Sequence, residues 1–377
     1  HWDSVSESDN ILTRLVDLHL AGELDFEPDV ACWTTVIRGW MRLAKSRKSA
    51  AERAERLMER MIVLQDDGKI TVEADAVVYF SVLNAHVYAG SIADAVRIFD
   101  TMNYLWKQGD EEMKPTFKTY KNLIEGWVKS DEENSMERAE IMLDKVTELY
   151  DEDVSDMYKS MIFGFSKAGN PAKADSYLRL MIEKGVAPDS FCFDKVIDSY
   201  TSLDDPRAIK FVYAAFELME KCQKRGIMKA NERVYTSLIR AIAKERKTGM
   251  AAKAQTILRR MQQLSDAGNN AVKPRIFTYN AVLKACANTV MFDDGEKAKA
   301  FDTAIRIFNE LRSSDERPDH VTYSNLLKCS HLLPEGPKRD NLVKATFAKC
   351  AKDDMVNDFF IRDMEEYASE ELRRELL

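Results

Sequence analysis

The chain has 377 residues, 45% of them hydrophobic and 31% charged, and its 55 basic and 63 acidic side chains leave a formal net charge of −8. This apolar content excludes wholesale disorder, and 14 glycines with 9 prolines are too few for a fold rich in strands and tight turns. The acidic balance counts against a simple nucleic-acid binder, whose footprint is ordinarily basic, and no apolar run nears the roughly 20 residues needed to cross a bilayer.

Along the chain two markers recur. One is an aromatic residue followed by a polar one and then aliphatics, as in Tyr279-Asn280-Ala281-Val282-Leu283. The other is an apolar triple at i, i+4 and i+7, one stripe of an α-helix. The chain opens in mid-pattern. Ile11, Leu15 and Leu18 have the triple's spacing without an aromatic marker before them. Residues 1–29 are therefore expected to be a partial repeat, its second helix only, with chain missing in front and any targeting peptide unreadable. Aromatic markers follow at Trp33-Thr34, Tyr79-Phe80, Tyr120-Lys121, Tyr158-Lys159, Phe193-Asp194, Tyr235-Thr236, Tyr279-Asn280 and Tyr323-Ser324. Triples alternate with them: Ala54-Met58-Met61, Ala95-Phe99-Met102, Ala139-Leu143-Val146, Ala174-Leu178-Met181, Val212-Phe216-Met219, Ala254-Leu258-Met261, Ala304-Phe308-Leu311 and Val343-Phe347-Cys350.

Each unit thus predicts two helices, A then B. Eight units fill residues 30–353, with starts near 30, 76, 117, 155, 190, 232, 276 and 320. Such an array buries apolar faces between neighbouring copies, so the fold class is all-α. The marker-to-triple distance is 15 residues from 159 to 174 but 24 from 280 to 304, where TVMFDDGEKAKAFD is expected to swell the A–B turn. Residues 354–377 are charged but offer Phe359, Phe360, Met364 and Tyr367 for burial, and predict a C-terminal capping helix. The six cysteines never approach Cys-x-x-Cys spacing, and Cys286 and Cys350 fall on apolar faces, as buried reduced thiols do.

Residues 155–189 form a 35-residue unit, SDMYKSMIFGFSKAGNPAKADSYLRLMIEKGVAPD. Its Tyr158, Lys167-Ala168-Gly169 turn, Ala174, Met181, Gly185 and Pro188-Asp189 resemble the pentatricopeptide repeat. Tyr279-Asn280 and Arg317-Pro318-Asp319-His320-Val321-Thr322-Tyr323 look the same, and the resemblance covers the chain from about Asp29 onwards. The Tyr-polar opening and Pro-Asp ending separate it from the tetratricopeptide unit, with its Trp…Leu-Gly…Tyr first helix. The resemblance implies a right-handed α-solenoid of stacked helix-turn-helix repeats. The departure is length: unit-to-unit steps are 46, 41, 38, 35, 42, 44 and 44 residues, which breaks regular one-base-per-unit spacing.

The resemblance further implies single-stranded RNA in a groove lined by the A helices, each base read by the polar residue after the aromatic and the last residue of the same unit. That assigns Thr34/Asp75, Lys159/Asp189, Asp194/Asn231, Thr236/Arg275 and Asn280/Asp319, with Ser324 opening the last unit. Phe80/Thr116 and Lys121/Val154 depart from the pattern, and Phe80 cannot hydrogen-bond a base edge. Only Thr34/Asp75 and Asn280/Asp319 are regular, and the family code reads them as guanine and uracil. Four and eight residues beyond the reading position, the same helix face carries Arg38, Arg42, Lys129, Lys167, Arg240, Lys244, Lys284 and Lys328 against only Glu125 and Asp198. Such a stripe would neutralise phosphates. Two residues before the aromatic, Val77, Phe191, Phe277 and Val321 could sandwich bases, or be buried between units.

No enzyme is expected, and no metal or other cofactor. The five histidines are scattered and there is no Gly-rich phosphate loop or Gly-x-Ser-x-Gly elbow. The expected partner is single-stranded RNA, an organellar transcript or ribosomal RNA, in a mitochondrion or plastid, with a role in processing, stability or translation. No membrane and no small-molecule substrate are expected. The alternative is a protein-interaction scaffold, such as a solenoid subunit of an organellar ribosome or other assembly.

Overall fold

The computed structural model describes residues 2–245, 247–289 and 293–376. Those residues contain α-helices, short 3-10 turns and no strand. α1 (Trp2–Leu20) precedes eight helix pairs. These are α2 (Val30–Leu43) with α3 (Ser49–Asp66), α4 (Ala76–Ala89) with α5 (Ile92–Lys107), α6 (Phe117–Lys129) with α7 (Ser135–Leu149), and α8 (Ser155–Lys167) with α9 (Pro171–Glu183). There follow α10 (Ser190–Ser202) with α11 (Ala208–Lys224), α12 (Glu232–Glu245) with α13 (Met250–Asp266), α14 (Ile276–Ala287) with α15 (Asp294–Ser313), and α16 (His320–Lys328) with α17 (Pro337–Lys352). Two short helices close the chain, α18 (Asp358–Tyr367) and α19 (Glu370–Leu376).

The chain forms two compact bodies, His1–Gly164 and Phe165–Leu377. In the first, α2 packs on α3 and α4, and α4 on α5 and α6. In the second, α10 packs on α11 and α12, then α12 on α14, α14 on α16 and α16 on α18. Within the two bodies α2, α4, α10, α12 and α14 each touch their own B helix and the next A helix, the stacking of an α-solenoid. The aromatic markers are buried in all eight units, and so is every member of the B-helix triples except Phe347, which is half-buried. Between units the rings meet edge-on: Phe99 with Tyr120 at 5.4 Å, Phe216 with Tyr235 at 5.5 Å and Phe308 with Tyr323 at 5.7 Å. Such a pair contributes about 0.5–1.5 kcal/mol beyond its buried area.

Five residues after the reading position the A helix is always narrow: Gly39, Ala85, Gly126, Gly164, Ser199, Ala241, Ala285 and Cys329. The glycines show why. A Cβ on Gly39 would lie 3.1 Å from Val5 Cγ1, on Gly126 2.6 Å from Ile92 Cδ1, and on Gly164 2.7 Å from the Met136 thioether. The preceding helices fill the space a side chain would take.

Three expectations change. The buried stripe of α1 is Asp9, Leu12 and Val16, while Ile11 is exposed, because Asp9 accepts the Trp40 indole N–H at 3.0 Å and sets the rotation of the helix. The long insertion after Asn280 does not swell a turn over its described part. Asp293 accepts the Gly295 and Glu296 N–H groups and starts α15 ten residues ahead of Ala304, whereas α9 starts three ahead of Ala174. Residues 290–292 of that insertion lie outside the described residues, as do His1 and Leu377 at the ends of the 1–29 and 354–377 segments. Finally, the described residues of 354–377 form two helices, since the chain leaves α18 at Ala368 and Ser369 caps the next turn through the Leu372 N–H.

The narrow position gives a stability prediction. On helix propensity alone Gly126→Val would be neutral or favourable. Against Ile92 and Val87 it should instead lower stability by about 1–3 kcal/mol, as overpacking does, measured by urea unfolding followed by circular dichroism.

Candidate nucleic-acid interface

In the second body one face of α10, α12, α14 and α16 lines a groove of about 830 Å³. Its wall holds Asp194, Thr236 and Asn280, the residues after three of the aromatic markers, together with Phe277, Val321 and Asp319. Helix geometry explains the convergence. These positions sit at the same level of parallel A helices, so their side chains meet neighbours one unit away.

They are not free side chains. Asp194 is 3% exposed and accepts the Ser237 hydroxyl at 2.6 Å. Thr236 donates to Glu232 at 2.7 Å and lies 2.8 Å from the Thr278 hydroxyl. Asn280 accepts from Thr322 Oγ1 at 2.7 Å and donates through Nδ2 to Asp319 Oδ1 at 3.1 Å. A polar ladder thus ties each A helix to the next. Asn280/Asp319 is brought into direct contact, while no hydrogen bond joins Thr34 to Asp75, Asp194 to Asn231 or Thr236 to Arg275. In the first body Thr34 donates to its own helix at Val30 O, and Phe80 lies under Lys118. Lys121 and Lys159 both pair with Asp156, at 2.6 and 3.6 Å. In the second body Ser324 donates to the Asp363 carboxylate.

The partner position at the end of each unit is the N-cap of the next A helix. Asp75 accepts from the Val77 and Val78 N–H groups, Asp189 from Phe191 and Cys192, Asp319 from Thr322, and Asn231 from Arg233. Thr116 caps α6 with Thr119 as a reciprocal box. The Pro-Asp endings therefore have a backbone reason independent of any ligand.

The apolar residues two before the aromatic are not packed between units. Phe277 is 69% exposed, Val77 and Val321 are exposed, and Phe191 is half-buried with Lys195 over its ring at 5.5 Å. Phe277 and Val321 flank Asn280 along the groove.

Three of the eight cations of the expected basic stripe meet acids. Arg240 meets Asp198 at 2.5 Å, Lys129 meets Glu125 at 3.5 Å and Lys328 meets Asp363 at 3.2 Å. Lys244 donates to the Thr201 and Leu203 carbonyls at 2.8 and 2.9 Å, closing the end of α10. Within the groove Asp194, Asp198, Glu232 and Asp319 face Arg233, Arg240, Lys244 and Lys284, an even balance. Counting along the helix faces includes Glu125 and Asp198 but omits Asp363, which α18 supplies to Lys328. Lys167 is exposed, and of the remaining candidates Arg38, Arg42 and Lys284 are exposed and enter no ion pair among the described residues.

The cysteines are all free thiols, and only Cys32 is exposed. Burial pushes the Cys286 thiol up to about 12 and that of Cys350 to about 11, which keeps both protonated and inert. No group of three His, Cys, Asp or Glu able to hold a metal occurs among the described residues. Phe359, which the sequence offered for burial, is instead exposed and stands two residues after the α18 cap Asn357, the offset of Phe277 from Arg275.

Residues 165–333 match the family model described as the pentacotripeptide-repeat region of PRORP. The chain is 24% identical over 207 residues to a chloroplastic pentatricopeptide repeat-containing protein of Arabidopsis thaliana, covering 54% of this chain and 22% of that one. A second such chloroplastic protein of Arabidopsis thaliana is 24% identical over 195 residues, 51% of this chain and 20% of the other. The chain spans about a fifth of the length of these curated relatives. Among solved structures it is similar to the PPR domain of Arabidopsis thaliana protein-only RNase P 1 in complex with tRNA, at 16% identity and TM-score 0.43, covering 56% of this chain and 97% of that domain. It is also similar to the pentatricopeptide repeat protein PPR10 in complex with an 18-nt psaJ RNA element, at 16% identity and TM-score 0.44, covering 99% of this chain and 58% of that one.

The double use of Asp319 is separable. Asp319→Ala removes cap and ladder together and should lower stability by about 1 kcal/mol, while Asp319→Asn, an equally good cap, should stay within about 0.5 kcal/mol of wild type in thermal unfolding.

Proposed function

We propose that this pentatricopeptide repeat protein binds single-stranded RNA along the first turns of its A helices and acts as a binder, not an enzyme. The observation that carries the reading is the groove of the second body. There an exposed aromatic, Phe277, stands beside the paired edges of Asn280 and Asp319, with the unpaired Lys284 one turn further along α14. An aromatic face stacks any base, short polar groups on a rigid helix meet a base edge, and a free ammonium meets phosphate. The groove wall contains no cysteine or histidine to serve as nucleophile or general base.

The side chains of the assigned pair Asn280/Asp319 touch, and it is our candidate uracil site. Thr34/Asp75 is the candidate guanine site. The chloroplastic names of the curated relatives support an organelle, plastid or mitochondrion, as the location. An organellar transcript or ribosomal RNA is then the natural ligand, and its processing, stability or translation the natural role. The even charge of the groove favours a second reading, a polypeptide partner carrying both signs.

Binding to labelled single-stranded RNA tests the choice. Phe277→Ala and Lys284→Glu should each weaken binding about tenfold without changing the far-ultraviolet circular dichroism. With Arg38, Arg42 and Lys284 the exposed candidates shown to enter no ion pair among the described residues, the log–log salt slope should be shallow, about −2. Unchanged affinity in both variants would overturn the groove assignment, and a wild-type protein that captures no RNA would favour the polypeptide reading.

A further inference from the structure

The row of A helices does not stop at α16. α18 packs on α16 as α16 packs on α14, and the junction carries the same kinds of contact, a serine and a cation on carboxylates, with the donors here on the earlier helix. Ser324 Oγ donates to the Asp363 carboxylate and Lys328 Nζ lies 3.2 Å from it, as Ser237 donates to Asp194 and Arg240 pairs with Asp198 between α10 and α12. Asn357 caps α18 through the Phe360 N–H at 2.9 Å, the place Asp319 takes on α16. Phe360 is fully buried, as the end of a stack requires, yet its neighbour Phe359 is 43% exposed. Phe359 follows its cap by two residues, like Phe277 and Val321. Three groups gather on its ring: the Lys328 ammonium at 5.4 Å, the Arg362 guanidinium at 6.0 Å and the His320 imidazole edge-on at 6.4 Å. Arg362 is exposed and enters no ion pair among the described residues.

We propose that α18 is a further RNA-contacting helix, with Phe359 a stacking platform for one nucleobase and Lys328 and Arg362 partners for the phosphates beside it. This rests on the RNA reading of the groove. A helix placed only to cover apolar surface has no reason to hold a large ring outward between two cations. A cation over an exposed ring is held weakly, more weakly than a base stacks on the same ring. Both cations ride on long flexible arms. An arriving base therefore takes a face of the ring, and the displaced ammonium or guanidinium swings to the phosphate that arrives with it.

The test uses the full chain and a ladder of fluorescent oligouridylates lengthened one nucleotide at a time. Wild-type affinity should climb with length and then level off. Phe359→Ala should level off about one nucleotide sooner, losing about tenfold on the long oligomers and little on the short ones. Phe359→Trp should restore the long-oligomer affinity, and Arg362→Glu should weaken only the long oligomers. If Phe359→Ala follows wild type at every length, or loses the same factor at every length, the α18 contact is overturned while RNA binding stands. If wild type binds no oligomer, the functional reading itself falls.

Discussion

A buried ring on the A helix lies edge-on to a phenylalanine of the B helix before it where units two, five and seven meet the next. A two-helix unit cannot bury both of its apolar faces alone, so this contact is where each unit becomes stable. It also fixes where the next A helix stands. Everything on the groove side is a consequence. The cap, the residue after the ring and the apolar residue before it are held at a constant level because the ring between them is locked. The narrow position five residues further on completes the constraint, since it lets the preceding helices close over the A helix without a gap.

The all-α array could be read from the chain because apolar side chains at i, i+4 and i+7 coincide with buried positions almost throughout. Rings such as Tyr235 and Tyr323 are too large to be spaced so regularly for any reason except packing. Where the pattern misled, a tertiary contact outranked it. The stripe of α1 is turned by the Asp9–Trp40 hydrogen bond, which no periodicity contains. The insertion before Ala304 continues as helix because Gly295-Glu296-Lys297-Ala298-Lys299-Ala300 follows a good cap and holds no breaker strong enough to stop it. The pairing of Asn280 with Asp319 was implied by the repeat resemblance, but the ladder through Thr278, Thr322, Ser237 and Glu232 was not. It joins residues about forty positions apart whose chemistry is ordinary on its own.

Charge was the hardest property to read. A stripe counted down single helices looked basic, but the count did not show that its acids lie paired with the cations, nor that α18 adds another. Asp363 draws in Lys328 and Ser324 together, and Asp198 draws in Arg240. Cations held this way stiffen the groove wall more than they raise its potential. Long-range attraction of a polyanion would then be modest, and discrimination would depend on contacts made at close range.

The end-of-unit residue has one more consequence. Where it is Asp, Thr or Asn it caps the next helix itself. Where it is not, the backbone is rescued from elsewhere: beside Val154 the cap bond goes to Asp153, and beside Arg275 the Ile276 N–H goes to Glu316 of the following unit. The vocabulary open to this position is therefore set first by what can terminate a helix. Any drift toward a new ligand preference must move among a few short polar side chains, or recruit a substitute cap nearby. In such a protein the grammar of the fold limits the words available for recognition.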